Sequence, residues 1–152
     1  MPLMIHLIYA SVATQKFHTS QLTDLLQQAR ETNKRVGLSG ILLHADGSFF
    51  QVLEGEPAVI DELYQKLVVD KRHAQLTVII REPIARRSFG NWSMGFSRVS
   101  LEELSKMEGL NDFFRSGSCF LQLDAGRTRK LLAAFAGGRW RVKLSGVVQP
   151  AA

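Results

Sequence analysis

Three polar side chains stand where an apolar interior would be expected, and their types suit ligand binding. Gln51 interrupts the apolar run from Phe49 to Leu53, and a buried amide needs partners for its two donors and its carbonyl. Asn33 extends an apolar helical stripe, and Tyr9 lies near the end of the first apolar segment. A phenol and two amides on one inner surface would bind a flat heterocycle with carbonyl and N–H edges. The set contains no general base and no metal.

Each of the three residues also has an ordinary structural explanation. Tyr9 could be half-buried with its hydroxyl in water, and Asn33 could cap the C-terminus of a helix. Gln51 could satisfy a neighbouring backbone group. Taken singly these explanations are preferred, but three convergent polar side chains on one inner face favour a binding site.

Most signatures of catalysis are missing from the chain. It has no Gly-rich dinucleotide loop or phosphate loop, and the segment 37–40 is one residue short of a nucleophile elbow. The four histidines lack metal-ligand spacing, and Cys119 is predicted to be a packed thiol. Glu54 and Glu56 are explained by turn and helix-start roles. The sequence therefore predicts a protein that is not an enzyme.

Composition indicates one globular domain in 152 residues, with 45% hydrophobic and 22% charged residues. The chain shows no apolar run long enough for a membrane span and no secretory signal, and its single cysteine favours a cytoplasmic location. The net charge is +5. The last 28 residues carry six basic residues and no acid, a charge of +6, so the first 124 residues sum to −1. A basic tail can bind an acidic partner, a nucleic acid or a membrane surface, although a solvated helix face and a frayed end explain it more simply.

Hydrophobic periodicity predicts the element order β-α-β-β-α-β followed by a fifth strand, which is an α+β, ferredoxin-like fold. Two helices should cover one face of the sheet, and C-terminal helices near 101–110 and 131–135 should cover the other. We expect a sensory unit over 1–100, a helical cap over 101–138 and a basic tail over 139–152. The expected elements are strand 3–10, a helix from Thr19 or Ser20 to about Thr32, strands Leu38–His44 and Phe49–Glu54, a helix from Pro57 to Val68, strand Leu76–Arg81 and strand Asn91–Val99.

Four segments, in this order and spacing, resemble the BLUF domain, the family of blue-light sensors using FAD. The resemblance covers about residues 3–100 and implies a short stand-alone photoreceptor that holds the flavin ring between its two helices. The segments are Leu7-Ile8-Tyr9-Ala10-Ser11, then Asn33 with Gly37-Leu38-Ser39-Gly40-Ile41-Leu42, then Phe50-Gln51-Val52-Leu53-Glu54-Gly55-Glu56, and finally Phe89 with Trp92-Ser93-Met94.

The resemblance also implies roles for individual residues. Tyr9 matches the redox-active tyrosine, and Gln51 matches the glutamine between that tyrosine and the N5/O4 edge of the flavin. Asn33 matches the asparagine that binds the pyrimidine edge, while Trp92 and Met94 match the strand-five pair, one of which lies near the glutamine. The other residues expected to bind FAD are Leu25, Thr32 (where many relatives have Asn or His), and Lys66 and Asp70 near the ribityl and phosphate groups.

The mechanism implied by the resemblance begins when light makes the flavin an oxidant. Tyr9 then gives up an electron and a proton through Gln51, and Gln51 is left rotated or tautomerised with a new hydrogen bond to flavin O4. The fifth strand would pass this change to a downstream protein partner in a light-dependent complex. A homo-oligomer is also expected, because Phe113, Phe114 and Phe120 could form an apolar interface.

Two other functions are compatible with a ferredoxin-like sheet. A nucleic-acid-binding module with a basic tail would need exposed aromatic and basic residues on its strands, whereas the strand from Phe49 ends in the acidic Glu54. A small phosphohydrolase would need an Arg and Asn cradle before the first helix, which the sequence lacks. Nucleic acid is therefore an unlikely partner, and the photoreceptor is the preferred interpretation.

Overall fold

The fold is a five-stranded sheet with helices on both faces. The computed structural model describes residues 3–14, 19–45, 47–90, 93–98 and 124–136. The first strand lies in the interior of the sheet, where it pairs with the third and fourth strands, and the last strand alone pairs in parallel. The strand order is β4-β1-β3-β2-β5. The elements are β1 (Ile5–Ala13), α1 (Thr19–Val36), β2 (Ser39–Ala45), β3 (Ser48–Gly55), α2 (Pro57–Val68), β4 (His73–Pro83), β5 (Gly95–Arg98) and α3 (Ala125–Ala136).

The sheet is buried on both faces, which explains why its central strands are apolar at successive positions. On one face, alternate residues of β1, β2 and β3 pack against α1 and α2, to which the helices contribute the buried apolar residues Leu26 and Ile60. On the other face, Leu131 of α3 is fully buried and Arg129 of α3 donates to Glu82 at 2.9 Å. The predicted α+β, ferredoxin-like architecture is confirmed, whereas the expected helix at 101–110 and the tail at 139–152 lie outside the described residues.

Strand register sets which side chains meet on the helix-covered face. In the antiparallel pairs, Tyr9 of β1 lies opposite Gln51 of β3, and Gln51 lies opposite Leu42 of β2. Because side chains alternate between the faces of a strand, these three residues project to the same side of the sheet. Tyr9 belongs to the core between the sheet and the helices, so Gln51 faces the helices as well.

Helix α1 ends at Val36, one turn later than the end expected near Thr32. Gly37 follows with a φ of +78°, and the N–H of Leu38 donates to the carbonyl of Asn33 at 2.8 Å. This is the Schellman arrangement, in which a residue with left-handed backbone closes the last helical turn. The helix therefore continues past Asn33 until a glycine permits the reversal.

The fourth strand is also longer than expected, because it begins at His73 rather than at Leu76. Residues 73–74 precede the expected strand, yet they pair with the last two residues of β1. The pairing shifts register within this stretch, and Gln75 adopts a φ of 53°. A bulged edge strand of this kind carries polar residues and leaves a weak hydrophobic pattern in the sequence.

A buried carboxylate anchors the loop that follows β4, a role different from the turn role expected for Glu54. Glu54 is 0% exposed and accepts hydrogen bonds from Ser39 Oγ at 2.9 Å and from the backbone N–H groups of Ser88 and Phe89 at 2.6 and 2.9 Å. Arg87 donates to Ser39 Oγ and to the Glu54 carbonyl. A buried carboxylate is stable only with such partners, so these contacts fix the loop that leads toward β5.

Replacing Gly37 by alanine should destabilise the protein by about 1 kcal/mol, because a Cβ disfavours the left-handed backbone of this residue. No atom lies within 4 Å of the position that the Cβ would take, so the cost comes from the backbone and not from a clash. Urea unfolding of Gly37→Ala against wild type measures this difference. Gly126→Ala, within α3, is the matched control and should be neutral or stabilising. Equal stability of Gly37→Ala and wild type would contradict the capping role.

Candidate functional site

A cavity of about 110 Å³ lies between the sheet and the helices α1 and α2. One water molecule needs only about 10–15 Å³, so this space is much larger than a packing defect. Its wall is apolar along α1 and over much of the sheet, and it is polar near the α2–β4 connection. The lining residues are Tyr9, Ser11, Leu25, Leu26, Ala29, Leu42, Phe49, Gln51, Leu67, Asp70, Arg72, His73 and Met94.

Tyr9 and Gln51 form the polar centre of this wall. Their side chains are 2% and 9% exposed, and the Tyr9 hydroxyl donates to Gln51 Oε1. Gln51 Nε2 donates in turn to Met94 Sδ at 3.5 Å. The phenol therefore does not point into water and the amide is not satisfied by neighbouring backbone, so both ordinary explanations fail for this pair.

The Gln51 amide nitrogen, Nε2, has only a weak hydrogen-bond acceptor, the Met94 sulfur. A thioether sulfur is a poor acceptor, and an amide nitrogen has two hydrogens to donate. An incompletely satisfied donor in an apolar cavity costs free energy, on the order of 1–3 kcal/mol for a neutral group. A ligand that offers a carbonyl at this point of the wall would remove that cost.

Burial strongly raises the pKa of Tyr9 above its ordinary value, and the nearby Asp70 carboxylate adds to the effect. The cause is desolvation, because a phenolate in this cavity would have lost the water that stabilises its charge. Tyr9 is therefore a neutral proton donor at physiological pH. Any reaction that removes an electron from this phenol must also move its proton, and the hydrogen-bonded Gln51 Oε1 is the acceptor within reach.

Helix α1 reaches across to the segment just before β5 through two side chains. Asn33 Nδ2 donates to the carbonyl of Ser93 at 2.9 Å, and Arg30 Nε donates to the carbonyl of Met94 at 2.7 Å. Asn33 is buried, and its side chain plays no part in closing the helix, since its backbone carbonyl does so. The C-cap explanation of the Asn33 side chain is therefore wrong.

The structure brings only some of the other expected site residues to the cavity wall. Leu25, Asp70 and Met94 line the cavity. Lys66 and Thr32 are exposed and are not among the lining residues, because each side chain is rotated about 100° around its helix from an inward-facing neighbour. Trp92 lies outside the described residues.

Sequence reasoning missed a second hydrogen-bonded pair in the wall. His73 Nε2 lies 2.6 Å from the carbonyl of Leu67, and His73 Nδ1 lies 2.9 Å from Ser11 Oγ. A carbonyl only accepts, so in the neutral imidazole Nε2 donates and the Ser11 hydroxyl donates to Nδ1. Ser11 could have been found, because it lies two residues after Tyr9 and so on the same face of β1. His73 could not, because it precedes the expected start of the fourth strand at Leu76.

The polar end of the cavity also holds an ion pair. Arg72 donates hydrogen bonds to both carboxylate oxygens of Asp70, and these bonds hold the pKa of Asp70 below its ordinary value. Within the described ranges no group of three His, Cys, Asp or Glu side chains could hold a metal ion, and no helix is long and apolar enough to cross a membrane. The site thus offers apolar walls, hydrogen-bonding amides and one balanced pair of charges.

Comparison with known proteins agrees with this geometry. Residues 4–95 match the family model described as BLUF, sensors of blue-light using FAD. Subunit alpha of the photoactivated adenylate cyclase of Euglena gracilis is 36% identical over 95 residues, which are 61% of this chain and 9% of that protein. Subunit beta from Euglena longa is 32% identical over 95 residues, again 61% of this chain but 11% of the relative. The chain thus spans about a tenth of the length of these curated relatives.

Two solved structures share the fold over nearly their whole length. The BLUF protein BlrB in its dark state has a TM-score of 0.73 and 29% identity, covering 91% of this chain and 98% of its own. BlsA in its ground state has a TM-score of 0.78 and 27% identity, covering 97% of this chain and 95% of its own.

Removing the buried phenol should change how stability depends on pH. An unfolded tyrosine ionises near pH 10 and the folded Tyr9 ionises at higher pH, so wild-type stability is lost as pH rises above about 10. By pH 11 this loss amounts to about 1.4 kcal/mol from Tyr9 alone. Tyr9→Phe should therefore lose less stability than wild type between pH 9 and 11, as measured by urea unfolding.

The matched control for this experiment is Tyr64→Phe, which removes the other tyrosine of the chain and keeps Tyr9. Because Tyr9 is still present, this variant should keep the alkaline loss that Tyr9 causes. If Tyr9→Phe and wild type lost stability in parallel, the burial of Tyr9 as a protonated phenol would be contradicted.

Proposed function

This chain belongs to the BLUF family, the sensors of blue light using FAD, and from that premise we propose that it binds FAD non-covalently in the cavity and senses blue light through Tyr9 and Gln51. The observation that carries the proposal is the buried hydrogen bond from the Tyr9 hydroxyl to Gln51 Oε1 on the cavity wall. It pairs an oxidisable phenol with an amide that can both accept and donate a proton.

The residues of the cavity suit a flavin. Leu25, Leu26 and Ala29 of α1 supply a flat apolar surface for the ring system, with Leu67 of α2 also on the wall. Gln51 has donor capacity that the Met94 sulfur uses only weakly. A heteroaromatic ring with a carbonyl and nitrogen edge would fill the apolar space and satisfy that amide.

The remaining polar residues would bind the outer parts of FAD. We assign Asn33 to the pyrimidine edge of the ring, where it would exchange or share its present bond to the Ser93 carbonyl. Asp70 with its partner Arg72 suits the ribityl and phosphate groups, and the exposed Lys66 suits the phosphates at the mouth of the cavity. Thr32 is a weaker candidate, because it is exposed whereas the adjacent Asn33 is buried.

When bound, FAD supplies the absorption of blue light and, once excited, the oxidising power. Tyr9 is the electron donor, and as it loses an electron its hydroxyl proton moves to Gln51 Oε1. Burial favours this coupling, because desolvation disfavours every charged form of the phenol, including the phenolate whose formation the raised pKa of Tyr9 opposes. Return of the electron and proton to Tyr9 leaves Gln51 rotated or tautomerised, with its donor and acceptor groups exchanged. Since Tyr9 and Gln51 are buried from water, one altered hydrogen bond from Gln51 would be enough to shift the absorption to the red.

The output of this change is a light-dependent contact with a separate protein. Gln51 contacts Met94, which directly precedes β5, so a rearranged amide alters the edge of the sheet. The Euglena relatives are photoactivated adenylate cyclases in which the matched region is a small part of the chain. In this chain we propose a protein partner in the cytoplasm and a homo-oligomeric assembly.

Burial of the β3 aromatic residues argues against the nucleic-acid-binding alternative. Phe49 and Phe50 are 6% and 1% exposed. An RNA-binding sheet of this fold presents such rings to solvent, where bases stack on them. Here they pack into the two cores of the protein, so β3 offers no stacking surface.

Tyr9→Phe and Gln51→Leu should each retain FAD and lose the reversible red shift under blue light. The first variant lacks the proton and a readily oxidised ring, and the second lacks the group that rearranges. Absorption spectra of the purified proteins before and after illumination measure both effects. Tyr64→Phe is the matched control and should cycle as wild type does. A normal shift in either site variant would remove that residue from the mechanism.

Asn33→Ala should weaken FAD binding by about 1–2 kcal/mol, roughly tenfold, through the loss of one buried hydrogen bond. The neighbouring Thr32→Ala, at an exposed position, should bind FAD as wild type does. Flavin content after purification and titration of the flavin-free proteins with FAD give the two affinities. Wild-type affinity in Asn33→Ala would show that Asn33 serves the Ser93 carbonyl alone, and weakened binding in Thr32→Ala would place Thr32 in the site.

A further inference from the structure

Two side chains of α1 hold successive carbonyl groups of the segment before β5. Arg30 and Asn33 are three residues apart and so lie on one face of the helix. Their donors meet Met94 O at 2.7 Å and Ser93 O at 2.9 Å, contacts that span 64 and 60 positions in the sequence. The segment is therefore fixed to α1 at two adjacent points, here called the α1 clamp.

Arg30 takes part in the α1 clamp at an energetic disadvantage. Arg30 is partly buried, and its buried Nη2 has no hydrogen-bond partner in the described part of the chain. Burial also lowers the pKa of its guanidinium. Desolvating a cation without full compensation is unfavourable. The next basic residues of the helix, Lys34 and Arg35, remain exposed. The Arg30 contact is thus a specific arrangement and not an incidental surface bond.

The α1 clamp controls the position of the residue that touches Gln51. Met94 is 1% exposed, its carbonyl is held by Arg30, and its sulfur accepts from Gln51 Nε2. Met side chains are flexible and adapt readily to their surroundings, so the sulfur stays in place only if its backbone is held. We propose that Arg30 is a positioning residue that holds Met94 against Gln51 and thereby slows the thermal return of the light-induced state, an inference that rests on the proposed photocycle.

The physical reason for this slowing is steric. For Gln51 to recover its original orientation in a closely packed cavity, neighbouring atoms must give way. With the Met94 carbonyl held, the sulfur must be displaced against a fixed backbone. Without that bond the whole segment yields, and the barrier to reorientation falls.

Two variants of Arg30 separate the hydrogen bond from the charge and the bulk. In Arg30→Gln the amide nitrogen takes the chain position of Arg Nε and still donates, whereas in Arg30→Met a methyl group occupies that position. Arg35→Met changes an exposed arginine of the same helix in the same way and is the control. Each FAD-loaded protein is illuminated with blue light, and the rate of dark recovery is followed by absorption.

Arg30→Met should recover about 2- to 10-fold faster than wild type, the change expected for the loss of one hydrogen bond. Arg30→Gln and Arg35→Met should recover within about twofold of wild type by the same argument. The proposal is overturned if Arg30→Met recovers no faster than wild type, or if Arg30→Gln is as fast as Arg30→Met. A wild-type protein without any red shift would instead defeat the proposed function itself, so the two failures are distinguishable.

A measurement on wild-type protein does not depend on the folding of Arg30→Met. With ¹⁵N-labelled arginine, the Nε–H resonance of Arg30 is assigned by its absence in Arg30→Gln. It should exchange slowly with solvent and change its chemical shift under blue light. A rapidly exchanging resonance, or one that light leaves unchanged, would show that Arg30 does not hold Met94 in the responding protein.

Discussion

Everything at this site depends on one hydrogen bond, from the Tyr9 hydroxyl to the Gln51 carbonyl, buried between the sheet and two helices. A primary amide in an apolar strand is destabilising unless its groups have partners, and the β1–β3 register supplies the phenol directly opposite it. The amide then has one strong partner and one weak one, the Met94 sulfur. This unequally satisfied amide is the group that rearranges in the proposed response to light.

The surrounding residues bury the Gln51 amide and hold the side chains around it in place. Leu42 and Phe49 line the sheet side of the cavity, and α1 closes it with a row of apolar residues. The loop before Met94 is anchored by the buried Glu54 carboxylate, and Met94 itself by the α1 clamp. The network around Glu54 and the α1 clamp are separate, yet both restrict the same short segment. Both sets of contacts hold Met94 against Gln51, and in the proposed mechanism a rearranged amide would act on the backbone before β5 through this contact.

The Tyr9 phenol remains neutral, whereas the Asp70 and Glu82 carboxylates near the sheet are paired with basic side chains. Desolvation raises the pKa of Tyr9, whereas hydrogen bonds from Arg72 lower the pKa of the Asp70 carboxyl at the polar end of the same cavity. On the opposite face of the sheet, Glu82 links His6 of β1 to Arg129 of α3. The cavity side of the sheet thus holds the Asp70–Arg72 ion pair, and the opposite side is joined to α3 by the hydrogen bond from Arg129 to Glu82.

Local pattern in the sequence determined the element order, the two-sided burial of the sheet and the face that Gln51 shares with Tyr9, because strand alternation and helical period are properties of neighbouring residues. The resemblance carried by the Tyr9, Gln51 and Met94 segments identified the family. Only the tertiary structure decided that Met94 contacts the amide, that Thr32 is exposed, that Arg30 binds the Met94 carbonyl and that His73 binds the Leu67 carbonyl. The physical reason is distance along the chain: Arg30 meets a carbonyl 64 residues away and His73 a hydroxyl 62 residues away, and no local period encodes such contacts.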